Sequence, residues 1–267
     1  MKNFFWLIVM CASVLTSCCS KNPESKTLIL YYSHTGTTEK VAQELQRNLN
    51  ADMEIIRLEN PYTGTYEELV KRVGEEKAIG FLPRLLPLNV DLSKYDTIFL
   101  GYPIWYGTYA TPIAALVKEY DFEGAKIVTF CTFGSGGLET AIRDLKEALP
   151  KAEIAENGFG IRTARIGATA KELNRFLMEN NYIEGSIEAL PGYSEMRPVT
   201  DEEKSIFDAA CGDYQYPLGT PVLVGKRGTS ESIDYIYDVE NNGAKSTIYV
   251  TISKTPGAKP EFTRVVR

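Results

Sequence analysis

The chain has 267 residues, which is more than one average domain needs, so two domains are expected. Its formal net charge is -6 and its pI is about 5.1. Because a phosphate backbone attracts clustered Lys and Arg, this acidic balance argues against nucleic acid as a partner. Nothing in the composition suggests disorder or a multi-pass membrane protein.

The first residues read as a targeting segment. Lys2 supplies a positive charge, and residues 4–14 form an apolar stretch that is too short to span a bilayer. Leu-Thr-Ser-Cys at residues 15–18 resembles the bacterial lipobox, in which the cysteine is lipidated and the chain is cut before it. We therefore expect a signal peptide at 1–17, a lipidated Cys18, a polar tether at 18–25, and an exported lipoprotein at the periplasm or cell surface. A plain secretory signal is the alternative.

Residues 27–40 predict a phosphate site. A short apolar strand at 27–32 leads into a turn rich in hydroxyls and then into a helical pattern, where unpaired N–H groups and the helix dipole attract an anion. The spacing matches neither a Walker loop nor a dinucleotide turn. The terminal phosphate of a mononucleotide fits better, and an ordinary strand-to-helix turn is the alternative. The candidate residues are Ser33, His34, Thr35, Gly36, Thr37 and Thr38.

The chain then alternates between strand and helix patterns. Strands are predicted at 53–58, 95–101, 126–132 and 159–166, and helices at 65–74, 111–120, 138–149 and 169–180. This five-fold alternation predicts an α/β fold with a doubly wound, five-stranded parallel sheet.

Two further loops follow apolar strands of this sheet. Since ligands bind at the carboxyl ends of parallel strands, we expect both loops to meet residues 33–38 at one place. The large flat side chains of Trp105 and Tyr106 suit a planar ring, and the glycines after residue 132 let the backbone come close to it. Aromatics packed in a core or an interface are the alternative. The candidate residues are Pro103, Ile104, Trp105, Tyr106, Gly107, Thr132, Phe133, Gly134, Ser135, Gly136 and Gly137.

These motifs resemble those of the flavodoxin family over about residues 26–182. Ser-His-Thr-Gly-Thr-Thr at 33–38 is similar to the family's S-x-T-G-x-T phosphate loop, although Thr37 stands where Asn is usual. Gly-Tyr-Pro-Ile-Trp-Tyr-Gly at 101–107 is similar to a G-x-P-x-W-x-G flavin loop. The resemblance implies an FMN-binding domain at 26–183, with Trp105 and Tyr106 sandwiching the flavin ring and residues 132–137 as a third flavin loop.

The resemblance further implies that FMN carries the chemistry, so no catalytic side chain is expected. Residues 102–112 and 132–138 contain no Lys or Arg, which predicts a low reduction potential because no cation offsets the charge of the reduced ring. The electron acceptor would be a redox partner protein or a small quinone-like molecule. Both FMN-dependent electron transfer and an NAD(P)H:quinone-type oxidoreductase stay open.

A second, smaller α+β domain is expected at 199–267, after a linker at 184–198. Thr200 and Glu203 form a capping box before a helix. Alternating apolar residues at 233–239 and 248–252 flank Asn242-Gly243, which is a strong hairpin signal.

This second domain resembles the cystatins and stefins, which inhibit cysteine proteases. The resemblance runs through residues 192–198, 221–225 and 255–257, although Pro221 replaces the usual Gln that opens the first inhibitory loop. It implies an interaction module or an inhibitor on a flavodoxin-like scaffold, and a plain docking or packing module is the alternative. The protease-binding candidates are Gly192, Val222, Leu223, Val224, Gly225, Pro256 and Gly257.

Cysteine chemistry and metal binding are not expected. Cys131 ends a strand and Cys211 ends a helix, so both read as small buried residues. No C-x-x-C spacing is present, and His34 is the only histidine, so no metal site is predicted.

Overall fold

The computed structural model describes residues 26–267. The predicted signal peptide, Cys18 and the tether lie outside the described residues. Within the described part, no helix combines the length and the apolar character needed to cross a bilayer.

The N-terminal unit is built from strands and helices in alternation. The strands are β1 (Thr27–Tyr31), β2 (Asp52–Ile55), β3 (Thr97–Trp105), β4 (Thr108–Tyr109), β5 (Lys126–Phe133), β6 (Glu153–Ile154) and β7 (Phe159–Arg162). The helices are α1 (Thr37–Asn48), α2 (Tyr66–Ala78), α3 (Thr111–Glu119), α4 (Leu138–Ala148) and α5 (Thr169–Glu179), with short 3-10 helices at Leu92–Lys94 and Thr163–Ala168.

The main strands form a parallel sheet in the order β2-β1-β3-β5, with β6 and β7 both parallel to β5. Neighbouring residues of one strand enter opposite cores: Leu28 and Leu30 lie in one cluster, and Ile29 and Tyr31 in the other. A strand buried on both faces is typical of a parallel sheet covered by helices. The predicted doubly wound sheet is therefore confirmed.

Two details of this sheet differ from the prediction. The expected loop at 102–107 is mostly strand, because β3 runs to Trp105 and turns back into β4 through Tyr106 (φ 51°) and Gly107 (φ 81°). Two positive φ values fit a tight type I′ hairpin turn. The expected strand at 159–166 ends at Arg162, and β6 occupies the other part of that edge.

The C-terminal unit is a second sheet with one helix. Its elements are β8 (Arg197–Pro198), α6 (Asp201–Cys211), β9 (Thr220–Gly228), β10 (Ser232–Asn241), β11 (Ala244–Ser253) and β12 (Glu261–Val266). The strands are antiparallel in the order β12-β11-β10-β9-β8, and Phe207 of α6 packs into their core. The Thr200–Glu203 capping box and the turn at Asn242-Gly243 are both confirmed.

The expected first inhibitory loop at 221–225 is wrong. These residues lie inside β9 and pair with β10, and the chain turns only at residues 229–231. The run Val222-Leu223-Val224 has the β-branched, apolar character of a strand, and Val224 is buried in the core. Residues 255–257 do lie in the turn between β11 and β12, as predicted.

Candidate functional site

Three loops meet at the carboxyl edge of the parallel sheet. We call them loop 1 (33–38), loop 2 (103–107) and loop 3 (132–137). The Oγ1 atoms of Thr38 and Thr132 are 2.8 Å apart, which joins loop 1 to loop 3. The His34 and Trp105 ring centroids are 6.0 Å apart, which joins loop 1 to loop 2. A Cβ atom on Gly137 would lie 2.9 Å from the Gly107 carbonyl oxygen, so loops 2 and 3 touch. The predicted convergence is confirmed.

Loop 1 leaves the start of α1 open. Gly36 is the N-cap with φ 79°, and it has no side chain to cap the helix. Glu39 N–H donates to Ser33 Oγ and Lys40 N–H donates to the Gly36 carbonyl. Within residues 26–267, the N–H groups of Thr37 and Thr38 have no acceptor. Unpaired amides at a helix start attract an anion without any lysine, so loop 1 fits a single phosphate.

The hydroxyls of loop 1 divide into two groups. Thr35 and Thr37 are near the surface, with Oγ1 atoms 3.0 Å apart, and a Cβ on Gly36 would meet open space. Thr38 is only 1% exposed, and its hydroxyl is committed to Thr132. Thr38 and Thr132 therefore hold the loops together, whereas Ser33, Thr35 and Thr37 line the open side.

Three aromatic rings surround Trp105 of loop 2. The centroids of Tyr62, Tyr32 and His34 lie 5.1, 5.8 and 6.0 Å from its ring, at interplanar angles of 85°, 84° and 79°. All three contacts are edge-to-face, so no aromatic ring of the described chain lies parallel to Trp105. Burial lowers the pKa of His34, which keeps this ring neutral at pH 7.

A buried network supports this aromatic cluster, and sequence analysis missed it. The Tyr62 hydroxyl donates to Glu76 Oε2 at 2.6 Å and lies 2.8 Å from Thr111 Oγ1. Arg72 donates to Glu76 Oε1 at 2.9 Å and covers the Tyr62 ring at 4.2 Å. Burial raises the pKa of Tyr62, so its proton stays in place for the bond to Glu76. The predicted helix at 65–74 ends before Glu76, whereas α2 runs to Ala78 and thereby places Arg72 and Glu76 one turn apart.

Tyr106 does not form the second face of a sandwich with Trp105. Its hydroxyl donates to the Val70 carbonyl at 2.7 Å, and its ring lies near Lys77 of α2. The hairpin turn is the reason, because consecutive residues in it project in different directions. Tyr106 is 55% exposed and rests on α2.

A cationic side chain from another strand reaches loop 3, whose own residues include no Lys or Arg. Arg162, at the end of β7, donates from Nε to the Gly134 carbonyl at 2.7 Å. The expectation that no cation reaches this loop is therefore wrong, because it counted only residues close in sequence. The predicted low reduction potential depended on that expectation and is no longer supported.

The two cysteines of the folded part are buried. Desolvation raises the pKa of Cys131 well above its usual value and that of Cys211 to about 12. Both are therefore protonated at neutral pH and poor nucleophiles.

One cavity lies between the two units, and no residue of the three loops lines it. It has a volume of about 680 Å³ and lies between β7 and α5 on one side and the strands β9 to β12 on the other. Its basic side chains are already paired: Arg165 with Glu172 and Glu261, and Arg227 with Asp234. The cavity is a gap between the two units and is not the site predicted from the sequence.

The protease-binding candidates do not form one exposed surface. Val224 and Gly225 are buried in the sheet, whereas Gly192, Val222, Pro256 and Gly257 are exposed and Leu223 is half-buried. The neighbouring turn faces the N-terminal unit, since Glu231 pairs with Lys171 of α5 at 2.5 Å. Ser230 also donates to Glu188 of the linker.

Several solved structures of flavoproteins are similar to the N-terminal unit. The chain is 25% identical to a flavoprotein of Bacteroides uniformis, with a TM-score of 0.50, over 56% of this chain and 98% of that one. A flavoprotein of Bacteroides eggerthii is 22% identical over 60% and 99%, with a TM-score of 0.47. A flavoprotein of Lactobacillus acidophilus, solved in complex with FMN, is 23% identical over 56% and 99%, with a TM-score of 0.45. No curated protein sequence matches the chain.

A protein-family model described as Flavodoxin matches residues 26–165, a little over half of the chain. The match includes all three loops and ends before the C-terminal unit. With the doubly wound sheet and the convergence of the loops at its carboxyl edge, it identifies the N-terminal unit. The chain belongs to the flavodoxin family.

Proposed function

We propose that the N-terminal unit binds FMN where the three loops meet and that the protein exchanges electrons with a redox partner protein or a small quinone-like acceptor. FMN is the cofactor of the flavodoxin family, to which the chain belongs. The observation that carries the proposal is the open helix start of loop 1, which lies beside Trp105. A phosphate cradle and a flat aromatic side chain are thus side by side.

Each loop has its own task in this proposal. Ser33, Thr35, Gly36 and Thr37 hold the phosphate with hydroxyls and amides, and Thr38 locks the helix to loop 3. Trp105 offers a ring of fixed orientation to the flavin, because three neighbours pack against it edge-to-face. Bound FMN supplies the electron transfer, and the protein supplies binding, orientation and shielding from water.

We also propose that the protein acts at a membrane outside the cytoplasm, anchored by a lipid on Cys18. The support is the sequence pattern at residues 1–18. A polar tether at 18–25 would then separate the folded units from the membrane. We do not extend the proposal to protease inhibition, because the turn at 229–231 is engaged with the N-terminal unit.

Titration of the purified protein with FMN tests the proposal. We expect the wild-type protein to take up FMN and to quench its fluorescence. Trp105→Ala should weaken binding at least about fivefold and reduce the quenching, since a stacked aromatic contributes about 1 kcal/mol beyond its buried area. Phe81→Ala is the control, because Phe81 is an exposed aromatic outside the three loops. A wild-type protein that binds no FMN would overturn the proposal.

A further inference from the structure

The last strand of the C-terminal unit packs directly on loop 3. Val265 N–H donates to the Ser135 carbonyl at 2.8 Å. A Cβ atom on Gly136 would collide with the Val265 carbonyl oxygen, so only glycine allows the two backbones to come this close. Nearby, Arg264 of β12 pairs with Glu139 at the start of α4 at 3.0 Å. Loop 3 is therefore a contact surface between the two units.

Arg162 ties the same two segments together. Its Nε donates to the Gly134 carbonyl and its Nη1 donates to the Phe262 carbonyl, each at 2.7 Å. The guanidinium also lies 4.1 Å from the centre of the Phe262 ring. Burial lowers the pKa of Arg162, but an arginine pKa starts so far above neutrality that the group stays charged. A planar guanidinium holds two carbonyls at a fixed distance and angle, which a lysine does not.

These bonds set the orientation of two consecutive peptide groups. The Gly134 and Ser135 carbonyls both bond toward Arg162 and β12. In a trans peptide the N–H points opposite to the C=O, so the N–H of Ser135 points away from Arg162 and the N–H of Gly136 points away from β12. Within residues 26–267 neither N–H has an acceptor. Two adjacent amides of this kind form a small positive site for a polar ligand atom.

We propose that the C-terminal unit is part of the cofactor site: β12 and Arg162 fix the peptide planes of loop 3 and thereby set the affinity for FMN. Arg162 is a positioning residue, which acts through the Gly134 carbonyl. The inference rests on the proposed binding of FMN to the three loops. The C-terminal unit would then support the cofactor site of its own chain.

Three variants of the full chain separate this role from simple docking of the two units. Arg162→Gln removes the bridge, and we expect FMN to bind about tenfold more weakly, the size expected for a lost charge-assisted hydrogen bond. Arg162→Lys keeps the positive charge but not the planar guanidinium that holds both carbonyls, and we expect a similar loss of FMN affinity. Arg165→Gln is the matched control, because Arg165 also links the units, through Glu261, without touching loop 3. We expect its affinity to stay within about twofold of wild type.

Hydrogen exchange gives a second readout that needs no variant. Because coupling is reciprocal, FMN must stabilise the docking of β12 by the factor by which that docking favours FMN. We expect the amides of Glu261–Val266 to exchange more slowly when FMN is added to the wild-type protein. Unchanged exchange there overturns the inference, as does equal weakening by Arg162→Gln and Arg165→Gln or full rescue by Arg162→Lys. A wild-type protein without FMN affinity removes the proposed function itself, which is a distinct result.

Discussion

Trp105 depends on residues that are far away in the chain. Tyr62 comes from the loop before α2, and its hydroxyl is anchored to Glu76 and Thr111. Glu76 is buried, so its carboxylate needs both the Tyr62 hydroxyl and Arg72 as donors. The orientation of Trp105 thus depends on the hydrogen-bonded network around Glu76, which Trp105 itself does not join.

Removal of the Tyr62 hydroxyl tests this dependence. Tyr62→Phe should lower the free energy of unfolding by about 1–3 kcal/mol, because it leaves a buried carboxylate short of a donor. Tyr95→Phe is the matched control: the Tyr95 hydroxyl also donates to a carboxylate, that of Asp52, but at the surface. We expect its effect to stay below about 0.5 kcal/mol. Urea unfolding of both variants measures the difference, and equal effects would contradict a supporting role for the network.

The residues of the candidate site fall into two classes of predictability. Loop residues such as Ser33 and Trp105 could be found from the sequence, because they stand in short motifs at strand ends. Tyr62, Glu76 and Arg162 could not, because their neighbours come from other elements and their roles depend on burial and hydrogen bonds. The omission of Arg162 misled the expectation about charge near loop 3.

Two hairpin turns show how local chemistry decides an element. Asn242-Gly243 and Tyr106-Gly107 both have positive φ values, at 50° and 83° and at 51° and 81°. An Asn-Gly pair in a sequence indicates such a turn, because both residues tolerate a positive φ. Tyr-Gly does not, since a bulky residue rarely adopts this conformation. The sequence therefore predicts the first turn, whereas at the second it predicts only a loop.

Two glycines allow the cost of a positive φ to be measured separately from steric clashes. Gly243 and Gly228 both leave open space for a Cβ atom, but only Gly243 has a positive φ. Gly243→Ala should destabilise the protein by about 1–2 kcal/mol through backbone strain alone. Gly228→Ala should be neutral or slightly stabilising, by up to about 1 kcal/mol. Urea unfolding followed by circular dichroism checks both values, and a neutral Gly243→Ala would show that the turn is not strained.

The apolar periodicity of the sequence predicts which helices and strands form, but not the residues at which they end. The helices and the buried strands were predicted within a few residues, because each shows a clear apolar pattern. The stretch at 221–225 was assigned from resemblance to an inhibitory loop, although its Val-Leu-Val run indicates a strand. At the split edge of the parallel sheet, β7 lies at the start of the strand predicted at 159–166, whereas β6 left no pattern because it has only two residues.

The C-terminal sheet directs its turn at 229–231 toward the N-terminal unit. Glu231 bonds to Lys171 of α5, and Lys254 N–H donates to the Glu231 carbonyl, which joins the second turn to the first. A protease cleft that engaged the turn at 229–231 would compete with the Glu231–Lys171 pair. The arrangement is that of a unit docked on its own chain.

An inhibition assay tests this arrangement. We expect the intact chain, mixed with papain at equal concentration, to leave the hydrolysis of a peptide substrate unchanged. An active cystatin serves as the positive control. Stoichiometric inhibition of papain would mean that the C-terminal unit leaves α5 readily and would contradict the docked arrangement.

The contact between Val265 and Ser135 imposes an order on biogenesis. Loop 3 precedes β12 in the chain, so the ribosome completes loop 3 before it makes the strand that supports it. Tight flavin capture would then wait until β12 has been synthesised and has docked. Under the export and the FMN binding proposed above, a chain that is translocated before it folds would load its cofactor after translocation.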